Sequence, residues 1–158
     1  MIRFALCSLA LISSAPALAA NCEPVLAAFR ALASRDTYAQ IVTMGDGSVV
    51  ETRVLPGAMY VKDGDQWDSL PAGPEMRKQM LDRLIPDASA LKNCKIVGSE
   101  TSGGVATTVY DYVMPGLEAL MAGAGTQQLS IRDSDGLPQV LRSADTDVVL
   151  TYEGVVPP

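Results

Sequence analysis

Between Tyr38 and Tyr152 the chain is cut into short runs by aspartate–glycine and other glycine-bearing turns, and that punctuation restricts it to an antiparallel sheet. Tyr38 to Met44 is followed by Gly45-Asp46-Gly47, Ser48 to Leu55 by Pro56-Gly57, and Ala58 to Lys62 by Asp63-Gly64-Asp65. Gln66 to Ser69 completes this first set. These runs read as an antiparallel meander with one side covered. Alternation places Val50, Thr52 and Val54, then Met59 and Val61, then Trp67 on the face turned to a core. Glu51, Arg53, Lys62, Gln66 and Asp68 fall on the other, wet face.

Two amphipathic segments can cover the sheet. The first has Asn21 as N-cap and Glu23 in its first turn, with Arg30 and Arg35 toward its end. Cys22, Val25, Leu26, Phe29, Leu32 and Ala33 form its apolar stripe. The second begins after Pro71-Ala72-Gly73-Pro74 and ends at Pro86. Met76, Met80, Leu81, Leu84 and Ile85 make its stripe; Arg77, Lys78, Asp82 and Arg83 make its polar side. Further strands are expected over Lys95 to Thr101, Val105 to Met114, Gln127 to Asp133, Gln139 to Ser143 and Val148 to Tyr152. The apolar, glycine-rich stretch from Pro115 to Gly125 is bounded as a loop and holds Leu117, Leu120 and Met121, so it is expected to pack or to cover something.

The amino terminus carries an address. Arg3 supplies one positive charge, Phe4 to Ile12 a short apolar run, and Ala17-Leu18-Ala19 the small residues that a signal peptidase reads. The run is too short to span a bilayer. Residues 1–19 are thus expected to be a signal peptide, cleaved near Ala19. Residues 20–158 remain as one periplasmic or secreted domain with no integral membrane segment. The chain has a formal net charge of −6, and Arg3 leaves with the leader, so the mature protein is more acidic still. An acidic chain without a basic run has no footprint for nucleic acid or anionic membrane surfaces. Of three cysteines, Cys7 is lost with the leader; Cys22 and Cys94 are expected to pair in an oxidising compartment. Asn21 stands where a lipoprotein signal wants a small residue, so lipidation of Cys22 is not expected.

Residues that commonly carry catalysis are scarce. Histidine is absent, which removes the commonest general base and metal ligand. Paired cysteines leave no thiolate nucleophile. Ser89-Ala90-Leu91-Lys92 matches the S-x-x-K spacing of serine acyl-enzymes, without the companion motifs. The aspartates at 63, 65 and 68, and at 133 and 135, suggest calcium loops. The twelfth position that should hold a bidentate glutamate is instead Pro74 or Ala144, which leaves them as turn residues. No catalytic residue, metal site or cofactor is expected. Methionine is the more suggestive signal, seven against two phenylalanines. Thioethers fill irregular cores and also line promiscuous apolar cavities.

The order of elements resembles the LolA/LppX-like family of exported lipoprotein carriers and lipid-binding proteins. Tyr38 to Met44 opens the sheet; Gly57-Ala58-Met59-Tyr60-Val61-Lys62 precedes Gly64-Asp65-Gln66-Trp67; Asp135-Gly136-Leu137-Pro138 enters a late strand. Cys94 to Glu100, with Gly103-Gly104-Val105-Ala106 leading to Tyr110-Asp111-Tyr112, adds to the likeness, which spans nearly all of residues 22–154. The resemblance implies an α+β fold whose antiparallel sheet curls into an incomplete barrel, covered by an N-terminal and a mid-chain helix. It also implies an apolar cavity between them. On that reading the protein is a non-enzymatic binder of a lipid or other apolar ligand. Its cavity walls are expected to be Met59, Val61, Trp67, Met76, Met80, Leu84, Leu120 and Met121. The competing expectation is an envelope interaction or scaffold domain with a solid core, docking a protein partner through an exposed edge or loop.

Overall fold

A computed structural model of the chain describes residues 22–85, 87–114 and 125–158, without the side chains of residues 80–84. Helix α1 (Glu23–Ala33) is followed by strands β1 (Tyr38–Met44), β2 (Val49–Leu55), β3 (Gly57–Asp63) and β4 (Gln66–Ala72). Helix α2 (Pro74–Leu84) then leads to β5 (Lys92–Ser102), β6 (Val105–Val113), β7 (Gln127–Arg132), β8 (Pro138–Arg142) and β9 (Thr146–Thr151). All nine strands form one open antiparallel sheet in the order β4-β3-β2-β1-β9-β8-β7-β6-β5. Two meanders meet where β1 pairs with β9, from Ala39↔Thr151 to Met44↔Thr146. The edges are β4 and β5, and the connection carrying α2 runs from one to the other. The antiparallel sheet is the one that the strand punctuation anticipates, and with its two helices it is the α+β architecture that the resemblance implies.

One face of the sheet receives α1. Val25, Leu26, Ala28, Phe29 and Leu32 are buried along the helix stripe. They pack on Leu91, Cys94, Tyr112, Met114, Leu129 and Ile131 toward β5–β7, and on Tyr38, Val54, Val148 and Leu150 toward the centre. Phe29 and Tyr112 meet edge to face, their ring centroids 6.1 Å apart. Cys22 and Cys94 form a disulfide with Cα atoms 5.1 Å apart, tying the start of α1 to the edge strand.

Two details depart from the sequence reading. Cys22, not Asn21, occupies the N-cap position of α1, with no side-chain capping bond and a proline in the first turn. The second departure reverses part of the facing assignment. The β3–β4 hairpin has a two-residue loop, so Lys62 pairs with Trp67, Val61 with Asp68 and Asp63 with Gln66. Directly opposed residues share a face, which puts Trp67 beside Lys62 and Arg53 on the outer side. Gln66 and Asp68 lie on the inner side with Val61. Reading straight alternation through the turn misses this phase change. The apolar loop expected from Pro115 to Gly125 lies outside the described residues up to position 124.

Candidate ligand cleft

At one end of the sheet four pieces of chain leave a cleft of about 560 Å³ on the side that α1 covers. Helix α1 contributes Ala33 and the segment after it Asp36; the β2–β3 turn contributes Pro56 and Gly57. The end of β4 and the start of α2 contribute Ala72 and Pro74, then Arg77 and Lys78, with Ile85 beyond the helix. Local chemistry explains the shape. Gly57 has φ 83°, a left-handed conformation that costs glycine little, so the chain reverses tightly beside Pro56. Pro74 sits where a helix has no use for an amide hydrogen, and the Arg77 amide donates to the Gly73 carbonyl to begin the turns of α2.

The lining is apolar at Ala33, Pro56, Ala72 and Ile85 and cationic at Arg77 and Lys78. The Arg77 guanidinium donates through Nη1 to Asp36 Oδ1 at 2.8 Å and through Nη2 to the Arg35 carbonyl. The arginine side chain is 16% exposed and the aspartate 77%, so the pair is a fixed cation with an outlying anion. Behind it Tyr38 is buried; desolvation pushes its hydroxyl above the ordinary phenol range, while the Arg77 charge pulls the other way.

The residues expected as cavity walls are dispersed. Met59 and Val61 lie half-buried on the inner face, Met59 against the cluster of Leu32, Tyr38 and Val54. Met76 is exposed on α2. Trp67 is on the outer face, its ring 4.6 Å from the Arg53 guanidinium and 5.9 Å from the Lys62 ammonium. None of these four lines the cleft. The side chains of Met80 and Leu84, and residues Leu120 and Met121, lie outside the described residues. Arg77 and Lys78 were visible only as the polar side of a helix, and Pro56-Gly57 and Pro74 only as chain breaks.

Other parts of the molecule offer less. A smaller groove of about 390 Å³ lies on the outer face, with Ala39, Ile41 and Val149 under the chain from Glu153 to Val156. Arg53 donates to the Val156 carbonyl there and pairs with Glu51 at 3.0 Å. Among the described residues no three carboxylate or cysteine side chains gather as a metal site, and no helix is long and apolar enough to cross a membrane. Ser89 donates both its amide and hydroxyl to Asp87, an Asx turn.

No family model matches the sequence, and no curated protein matches it. Solved structures do. LprF from Mycobacterium bovis matches with a TM-score of 0.52 at 14% identity, over 88% of this chain and 97% of that one. The Mycobacterium tuberculosis lipoprotein LppX matches with 0.52 at 16%, over 86% and 94%. MucB, solved in complex with MucA(peri), matches with 0.50 at 15%, over 87% of this chain and 57% of that one. Identities this low express a shared fold.

Proposed function

We propose, from the LolA/LppX-like fold that this chain has, that it is a non-enzymatic envelope protein, exported by its leader, that binds a lipid or another apolar ligand. The observation that carries this reading is the cleft beneath α1 and α2, which lies between sheet and helices, where the family resemblance implies a ligand. Its volume falls in the range of roughly 300–1,000 Å³ usual for small-molecule sites. Binding there would derive mainly from area removed from water, about 25 cal/mol per Å² of apolar surface. Affinity is therefore shared among many side chains. Native mass spectrometry of gently purified mature protein, followed by organic extraction, tests the proposal. A bound amphiphile is the expected result. A protein that arrives empty, and stays empty against a panel of acyl lipids, overturns it.

One observation favours a second reading. MucB shares the fold and was solved with a protein partner. A protein-docking role for this chain would leave the cleft empty and show itself as stoichiometric capture of an envelope protein.

A further inference from the structure

The outer groove of about 390 Å³ is crossed by a segment of the chain itself, and that segment shows what chemistry the groove takes. Strand register lays its floor. Arg53, Ala39 and Thr151 stand side by side on β2, β1 and β9, and Glu51, Ile41 and Val149 form the next row. Opposed residues share a face, so the short Ala39 side chain leaves a dip between two longer neighbours. Over this floor pass Glu153, Gly154, Val155 and Val156. Gly154 has φ 69°, a left-handed conformation that costs glycine little. Pro157 and Pro158 follow; they carry no amide hydrogen, and Val156 before them is pushed to extended backbone. Such a stretch offers carbonyl oxygens and apolar surface.

Arg53 is held ready to meet it. Its Nε and Nη2 donate to Glu51 Oε1 at 3.1 and 3.0 Å, and its guanidinium lies 4.6 Å from the centre of the Trp67 ring. The remaining Nη1 donates to the Val156 carbonyl at 3.2 Å. The segment nevertheless fits loosely, for Ile41 and Val149 beneath it remain 43% and 40% exposed. We infer that the groove is a recognition site for a proline-bearing apolar peptide of a partner protein, and that residues 155–158 occupy it in cis as an autoinhibitory contact. Exchange leaves no charge unanswered, because an incoming carbonyl replaces that of Val156 on Arg53. The preset backbone of such a peptide also loses little entropy on docking. The groove is on the face away from α1, so the inference stands apart from the lipid-binding reading.

Titration of the mature protein, with and without residues 155–158, with a capped Gly-Val-Val-Pro-Pro peptide tests this by calorimetry and by Trp67 emission. A competitor on the same chain, at an effective concentration on the order of 1 mM, weakens a peptide of about 100 μM affinity roughly tenfold. The truncated protein is therefore expected to bind the peptide about tenfold tighter than the intact chain. In the truncated protein Arg53→Met, which keeps the stem but loses the donors, is expected to weaken binding about tenfold, and Ile41→Glu to abolish it. A capped Gly-Ser-Ser-Pro-Pro peptide needs no change in the protein and is expected not to bind. Equal affinity of intact and truncated protein overturns the inference, as does equal binding of the serine peptide. Absence of binding to either protein overturns it and leaves the cleft untouched. Self-association of the truncated protein by sedimentation, without peptide binding, overturns it in favour of an interface between copies.

Discussion

Glu100 illustrates how much a single side chain can organise on a sheet surface. It accepts from Ser130 Oγ at 2.6 Å and from Arg142 Nη1 at 3.0 Å, spanning β5, β7 and β8. These donors, the serine hydroxyl foremost, hold its carboxyl below the ordinary glutamate range. Because the folded value is the lower one, its contribution to stability is complete above the unfolded pKa of about 4.3 and is lost as pH falls through the folded value. Urea titrations across acid pH should show wild type losing stability faster than Glu100→Gln in that window. Parallel curves would remove Glu100 from the account. Arg77 is the second such residue. Its bonds to Asp36 and to the Arg35 carbonyl tie α2 to the segment after α1, so Arg77→Ala should cost about 1 kcal/mol. Amide exchange in the first turns of α2 should accelerate while β6 and β7 stay unchanged.

The elements themselves differ in what anchors them. Helix α1 is held by its buried stripe and by the Cys22–Cys94 bridge, which closes a separation of 72 residues. Reduction is expected to lower stability by about 2–4 kcal/mol, with α1 amides exchanging before those of the sheet. Uniform exchange would place the effect elsewhere. Leu129, with no exposed surface under α1, should cost about 2–5 kcal/mol when changed to alanine, read from a denaturant midpoint. Element positions were legible in the sequence because turn chemistry is local. Tyr38–Met44 and the glycine turns at 47, 64 and 136, all with positive φ, fall where the residues demand. The facing of β4 was not legible, since it depends on the parity of a loop rather than on any residue in the strand. Nor was the cleft. Ala33, Gly57, Ala72 and Arg77 come from separate stretches and acquire a common meaning only after folding, while Arg77 and Lys78 in isolation read as an ordinary solvated helix side.

At the scale of the molecule, the first and last strands meet in the middle of the sheet. That arrangement makes the β1–β9 ladder the seam between the two meanders among the described residues, so deleting residues 146–158 should abolish cooperative unfolding by circular dichroism rather than trim an edge. A ligand taken up in the cleft stabilises the whole by mass action, about 2.7 kcal/mol at a hundredfold excess over its dissociation constant. The inverted hairpin has an optical consequence as well. The chain has one tryptophan, and Trp67 stands on the outer face between two cations. Its register partner Lys62 lies five residues along β3 from Gly57, roughly 17 Å at the usual strand rise. Intrinsic fluorescence therefore watches the outside of the molecule. Emission should stay dark to a guest in the cleft, yet shift when Arg53→Ala strips a cation from the indole, a built-in lamp for whatever approaches that outer wall.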